Sequence, residues 1–226
     1  MLSSGVRRNN RFFVKTPEER LQKEREQMVE RQLIARGITD PHVLAAFLKV
    51  PRHKFVPQAL EGQAYEDHPI QIGHEQTISQ PYIVALMLEQ LELKKEDIVL
   101  EVGTGSGYQT ALLAELVKEV DSVEIIEDLC QSAQKRLNFL GYSNVNLSCS
   151  DGRQGWAEKS PFDKIVVSAA AGEIPERLIE QLREKGLITI PVGVQIQELI
   201  VGQKINGKLI TRRSVPVRFV PLTSKS

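Results

Sequence analysis

Polar and apolar positions first settle into a regular spacing at Thr16. Leu21, Met28, Gln32 and Ala35 fall along one helical face that closes at Gly37. Thr16 can cap this helix, Pro17 occupies its first turn, and Glu18 and Glu19 suit its positive end. A second short helix is predicted from Asp40 and Pro41 through Val43, Leu44, Phe47 and Leu48, broken at Val50-Pro51-Arg52. From Ser79 onward helix and strand spacings alternate. Ile83, Val84, Met87, Leu88 and Leu91 mark one helical face, and residues 98–102 form a continuous buried-strand run. Ala111, Leu112, Leu116 and Val117 are again helical. Strands are predicted over 120–126, 145–149, 162–168 and 187–191, with helices over 128–140 and 175–183. Residues 198–205 and 208–220 read as an antiparallel pair joined by Asn206-Gly207, a strong hairpin signal. Alternation followed by a hairpin predicts an α/β fold. Its central sheet is mostly parallel with helices on both faces, its C-terminal strands are antiparallel, and its N-terminal region is helical.

Composition narrows the partners. The 29 basic and 29 acidic residues cancel, so the broad positive footprint of a nucleic-acid binder is absent and none is expected as a partner. The apolar runs are strand-sized, so no membrane span is expected. The first 15 residues lack a continuous apolar segment, which points to a cytoplasmic protein. Cys130 and Cys149 have no metal-type spacing and read as two incidental thiols, so no metal is expected. Residues 1–16, with Arg7, Arg8, Arg11 and Lys15, read as a flexible basic arm. Residues 17–226 then form one domain, with a helical part over 17–78 and a ligand-binding core and hairpin over 79–226. A monomer is expected.

The densest chemical signal runs from Val99 to Tyr108. There Gly103, Gly105 and Gly107 join a strand to a helix, at the end of a strand where α/β sheets bind ligands. A dinucleotide fingerprint would need its third glycine at position 108, which is Tyr108. Glu101 precedes the loop and would serve a pyrophosphate poorly, whereas a cation tolerates it. S-adenosylmethionine carries a sulfonium and an ammonium. Glu124 ends the next strand and can accept both hydrogen bonds of a ribose diol; Glu127, its competitor, suits the start of a helix. Asp151-Gly152 follows the third strand, where a carboxylate and a backbone N–H can read adenine. Glu101, Gly103, Thr104, Gly105, Ser106, Glu124, Asp151 and Gly152 are therefore the expected cofactor-binding residues.

The run Thr77-Ile78-Ser79-Gln80-Pro81-Tyr82, followed by the complete segment from Val99 to Ala111, resembles the bacterial protein-L-isoaspartate O-methyltransferase family. Ser122-Val123-Glu124, Asp151 to Trp156, Glu173-Ile174-Pro175 and Val217 to Leu222 extend the resemblance over roughly residues 28–222. It implies a Rossmann-like, class I S-adenosylmethionine-dependent methyltransferase. The implied reaction methylates the free α-carboxylate of L-isoaspartyl residues in damaged proteins and peptides, leaving S-adenosylhomocysteine. The ester recloses to a succinimide that hydrolyses partly to normal aspartate, which repairs the backbone. A carboxylate with a pKa of about 4 is already ionised at pH 7, so no general base is needed, and His42, His53, His68 and His74 need no catalytic role. The resemblance makes Ser79 the catalytic candidate, orienting the substrate carboxylate; a helix cap is the competing role. It makes Thr77, Ile78, Gln80, Pro81, Val217 and Arg218 the expected substrate-binding residues, against a plain edge strand at Val217 to Val220. Two departures stand out. Gly73-His74-Glu75-Gln76 replaces the usual G-Q-G-Q, and Val84 stands where some relatives have a cofactor-contacting histidine. A small-molecule methyltransferase and a non-catalytic binder of altered peptides are the alternatives.

Overall fold

Residues 16–224 are described in the computed structural model, so the expected basic arm lies, Thr16 excepted, outside the described residues. Helix α1, Pro17–Met28, starts as the sequence predicts: Thr16 and Glu19 exchange side-chain to backbone hydrogen bonds of 3.2 and 2.8 Å. Its buried face differs from the predicted one. Leu21 and Met28 are buried, but Val29 and Leu33 continue the face, while Ala35 is exposed and Gln32 donates to the Tyr65 carbonyl. A π turn over Val29–Leu33 inserts one residue and shifts the phase of everything after it. Helix α2, Pro41–Lys49, is capped by the Asp40 carboxylate, which accepts from the His42 and Val43 amides.

A small hairpin follows that no periodicity announces. Strands β1, Ile70–Gly73, and β2, Gln76–Ile78, turn at His74 and Glu75, with φ of 52° and 58°. The sequence thus places two non-glycine residues in the left-handed region, including the position where the resembled family usually carries glycine.

The main sheet has the order β5-β4-β3-β6-β7-β8-β9. Its strands are β3 Ile98–Val102, β4 Glu119–Val123, β5 Val145–Ser148, β6 Phe162–Val167, β7 Leu182–Val192, β8 Gln197–Ile205 and β9 Lys208–Val217. Strands β3 to β7 run parallel, and β8 and β9 are antiparallel. The remaining helices are α3 Pro81–Gln90, α4 Tyr108–Leu116, α5 Glu127–Phe139 and α6 Glu176–Gln181. Successive strand residues face opposite sides. Val99 packs with the N-terminal helices, α3 and α4, whereas Leu100 and Val102 pack with Phe162 and with Leu178 of α6. Strand β7 begins five residues before the predicted run because its polar start, Arg183 to Lys185, bulges out between the Phe162–Leu182 and Lys164–Leu187 pairs. The last hairpin turns at Asn206 and Gly207, both with positive φ, as their types require.

The chain runs outward through β3, β4 and β5, then returns to lay β6 on the other side of β3. That reversal makes the carboxyl ends of β3 and β6 the expected crevice. The two cysteines are not incidental thiols: Cys130 on α5 and Cys149, just beyond β5, form a disulfide with Cα atoms 5.7 Å apart. The β4-α5-β5 crossover returns the helix over the next strand and brings them together. No described helix is long and apolar enough to cross a membrane.

Candidate active site

A cleft opens at that crevice and, with the solvent at its mouth, encloses about 810 Å³, room for a nucleoside-sized ligand. Its floor is the loop after β3. Gly103 and Gly105 have φ of 95° and 53°, so other residues would be strained there. The Ile72 side chain of the small hairpin lies directly over Gly105. Thr104 is pinned by a 2.6 Å hydrogen bond between its hydroxyl and that of Ser122.

Glu124, at the tip of β4, lines the cleft and is 6% exposed. Its Oε2 accepts from the Gly105 amide at 2.8 Å and its Oε1 from the Ile126 amide at 3.0 Å. Each oxygen retains a lone pair for a ligand. Its competitor Glu127 is exposed at the start of α5 and accepts from Gln131.

Other expected cofactor residues fall differently. Gly103, Thr104, Gly105, Ser106 and Gly152 line the cleft. The Asp151 carboxylate accepts from the Arg153 amide and pairs with its guanidinium at 2.9 Å. Glu101 is fully buried behind the loop, not in the cleft wall. Its carboxyl group accepts from Ser122, Thr110 and Gln109, and the Gln109 amide also donates to Ser168 at 2.8 Å. Glu101 therefore reaches the cleft only indirectly, through Gln109 and Ser168 and through Ser122 and Thr104; Gln109, Ser168 and Thr104 line it. A strand over 162–168 is predicted, but no site residue is expected from it; Ser168, just beyond the end of β6, lines the cleft.

Burial pushes the Glu101 carboxyl up from 4.5 to about 7, against the opposing pull of its three donors. The folded protein then holds this proton more tightly than the unfolded chain. The stability it confers is complete below about pH 4.5 and is lost as pH rises through about 7. Glu101→Gln keeps the shape, since Gln109 can turn its amide to present oxygen. We expect wild type to lose roughly 2 kcal/mol more than Glu101→Gln between pH 5 and pH 8 in denaturant titrations. Parallel profiles would refute the assignment.

Gly152 packs against the sheet so closely that an added Cβ would lie 2.4 Å from the Val102 side chain. Gly152→Ala is expected to cost about 1–3 kcal/mol of stability and to weaken cofactor binding, because Val102 and Gly152 share the cleft wall. Paired melting and calorimetry on the variant test both effects; unchanged binding would show that the wall yields elsewhere.

A second cleft adjoins the first and contains Thr77, Ser79 and Gln80 on one side and Pro216 to Val220 on the other. Val217 and Arg218 thus belong to a cleft wall and not merely to an edge strand. Thr77, Ser79, Ser168 and Val220 border both clefts, and Ile78 lines the first. Pro81 lines neither; it is buried at the first position of α3. Ser79 is not the helix cap. Gln80 holds that position, and no side chain caps the helix. Val84 is buried in α3 away from both clefts, and no histidine lines either. Among the described residues no cluster could hold a metal.

Comparison with known proteins gives this arrangement its lineage. A family model described as Protein-L-isoaspartate(D-aspartate) O-methyltransferase matches residues 23–226. A protein-L-isoaspartate O-methyltransferase of Opitutus terrae is 53% identical over 202 residues, covering 88% of this chain and 87% of that protein. One from Picosynechococcus sp. is 49% identical, covering 89% and 91%. A Plasmodium falciparum protein assigned to the same activity, solved in complex with S-adenosyl-L-homocysteine, superposes with a TM-score of 0.78. It is 31% identical and covers 89% of this chain and 99% of that one. The sequence, the crossover crevice and the paired clefts agree: the chain belongs to the protein-L-isoaspartate(D-aspartate) O-methyltransferase family.

Proposed function

We propose that this protein methylates the free α-carboxylate of L-isoaspartyl residues in damaged proteins and peptides, using S-adenosylmethionine and releasing S-adenosylhomocysteine. The observation that carries the reading is Ser79, which stands on the wall common to the glycine-loop cleft and the cleft beside it. S-adenosylmethionine supplies a methyl group on a sulfonium, for in-line displacement by a carboxylate oxygen.

The residues present fit that cofactor. The Glu124 carboxylate can accept from the ribose hydroxyls. The Gly152 backbone borders the adenine end, while Asp151 stands outside the cleft lining with its carboxylate on Arg153, and residues 103–106 leave open main chain for the amino-acid end. In the second cleft, Thr77 and Gln80 face Val217 and Arg218 across the space for an extended peptide, with Ile78 on the adjoining wall of the first. Ser79 donates its hydroxyl proton to the substrate carboxylate and fixes its direction. Because that group is already an anion, the site needs orientation and exclusion of water, not a base. This accounts for a crevice with no histidine.

The proposed partners are altered polypeptides, met by a monomer in the cytoplasm, where a Cys130–Cys149 bond is unusual. A thiol count on denatured protein with and without reductant tests that pairing. The function itself is tested by radiolabelled methyl transfer to an isoaspartyl peptide and to the same peptide with normal aspartate. Base-labile label on the first alone is expected. Tight peptide binding without transfer would instead indicate a non-catalytic binder, and transfer only to small molecules would overturn the protein substrate.

A further inference from the structure

Arg52 is completely buried, yet among the described residues its hydrogen-bond partners are neutral. Its Nε donates to the Ala64 carbonyl at 2.7 Å and its Nη2 to the Ser79 carbonyl at 3.0 Å. The guanidinium carbon lies 5.0 Å from the centre of the Tyr108 ring, whose phenol group partly offsets the burial, and among the described residues Nη1 makes no hydrogen bond. Burial lowers its pKa from 12.5 to about 10, which still leaves it charged at neutral pH. A buried cation without a counter-ion is costly, and two carbonyls could have been satisfied by a neutral amide. The charge therefore calls for an anion that arrives with a ligand. The main chain that Arg52 grips belongs to Ser79, one of the four residues bordering both clefts.

We infer that Arg52 is a positioning residue for the substrate carboxylate: it fixes the Ser79 backbone and supplies, from behind it, the positive charge that the incoming anion meets. The inference rests on the proposed function, because only an anionic acceptor gives the buried charge a use. It also separates substrate from cofactor. Arg52 lines neither cleft, so its charge acts on the acceptor through the Ser79 peptide in surroundings where Coulombic attraction is weakly screened.

The test is a double-mutant cycle of Arg52→Lys with Ser79→Ala, read as kcat, peptide KM, S-adenosylmethionine affinity and melting temperature. Arg52→Lys keeps the charge but loses the fork that spans two carbonyls. We expect kcat to fall about tenfold or more in Arg52→Lys. In the Ser79→Ala background the same change should cost less than about twofold, because the two residues act as a unit. Arg52→Gln, which keeps a donor and removes the charge, should also raise the peptide KM while cofactor affinity holds. Multiplicative losses in the cycle, or cofactor affinity falling in step with kcat, would make Arg52 a general structural tie and overturn the inference. Should the variants not fold, the wild-type protein gives the answer. The Arg52 Nε–H resonance must shift when isoaspartyl peptide is added with S-adenosylhomocysteine and stay put with the aspartyl peptide; no difference overturns the inference. Wild-type methyl transfer, measured alongside, separates failure of this inference from failure of the proposed function.

Discussion

Ser79→Ala should slow methyl transfer by a hundredfold to a thousandfold, about 2.7–4 kcal/mol of barrier, while leaving S-adenosylmethionine affinity and melting temperature close to wild type. The separation of these readouts follows from where the residue sits. Its hydroxyl caps no helix, since Gln80 holds the cap position and α3 lacks a side-chain cap, so stability has little to lose. Its backbone is held by Arg52 whatever the side chain. What the variant loses is the donor on the wall between the clefts. A carboxylate without that donor can rotate or slide, and misplacement by about 1 Å is enough to cost roughly a hundredfold in rate. Single-turnover kinetics with saturating peptide measure the chemical step directly. Normal turnover with a lowered melting temperature would return Ser79 to a structural role.

How far the sequence discloses this molecule depends on what each segment faces. Strand β3 is legible to the residue, 98–102, because both of its sides are buried and its apolar run is unbroken. The caps at Thr16 and Asp40 are equally legible, since a side chain bonding its own helix needs no tertiary context. Phase is lost where the backbone departs from its ideal period: a single π turn moves the buried face of α1 from Gln32 and Ala35 to Leu33. The β1–β2 hairpin is invisible because its strands are three and four residues long and its turn uses His74 and Glu75 in place of glycine.

The site divides along the same line. Glu124 and the glycine loop are readable, because strand ends and glycines carry the pattern locally. The displacement of Glu101 behind Gln109 is not, because it depends on which way a fully buried side chain turns among Ser122, Thr110 and Gln109. The second cleft is legible only through family resemblance. Its walls come from segments around Gln80 and Val217, far apart in the chain and joined only by the fold. The Cys130–Cys149 pair is of the same kind, made by a crossover that no spacing rule reveals.

Glu124→Ala should weaken S-adenosylhomocysteine binding by about a thousandfold, on the order of 4 kcal/mol, because hydrogen bonds to a charged group contribute about 1.5–3 kcal/mol each. Two kinds of bond are lost at once: those the carboxylate would accept from the ribose diol, and those it already accepts from the Gly105 and Ile126 amides. The second loss leaves the glycine loop free to drift from the position that Gly105 needs under Ile72, so the remaining contacts weaken too. Using the sulfide product removes the sulfonium from the measurement, so the loss reports the ribose and the loop and not the charge of the methyl donor. Glu124→Gln sharpens the result. Its amide can present oxygen to only one of the two backbone donors and must turn its own NH2 toward the other. Its binding should therefore be weakened by about thirtyfold, between wild type and alanine. The two readings of Glu124 part in titration calorimetry. If both variants bind the product like wild type yet melt several degrees lower, Glu124 is only a brace between β4 and the loop, and the adenosyl group lies elsewhere. If affinity falls in the order glutamate, glutamine, alanine, the same carboxylate both shapes the glycine loop and grips the ligand held against it.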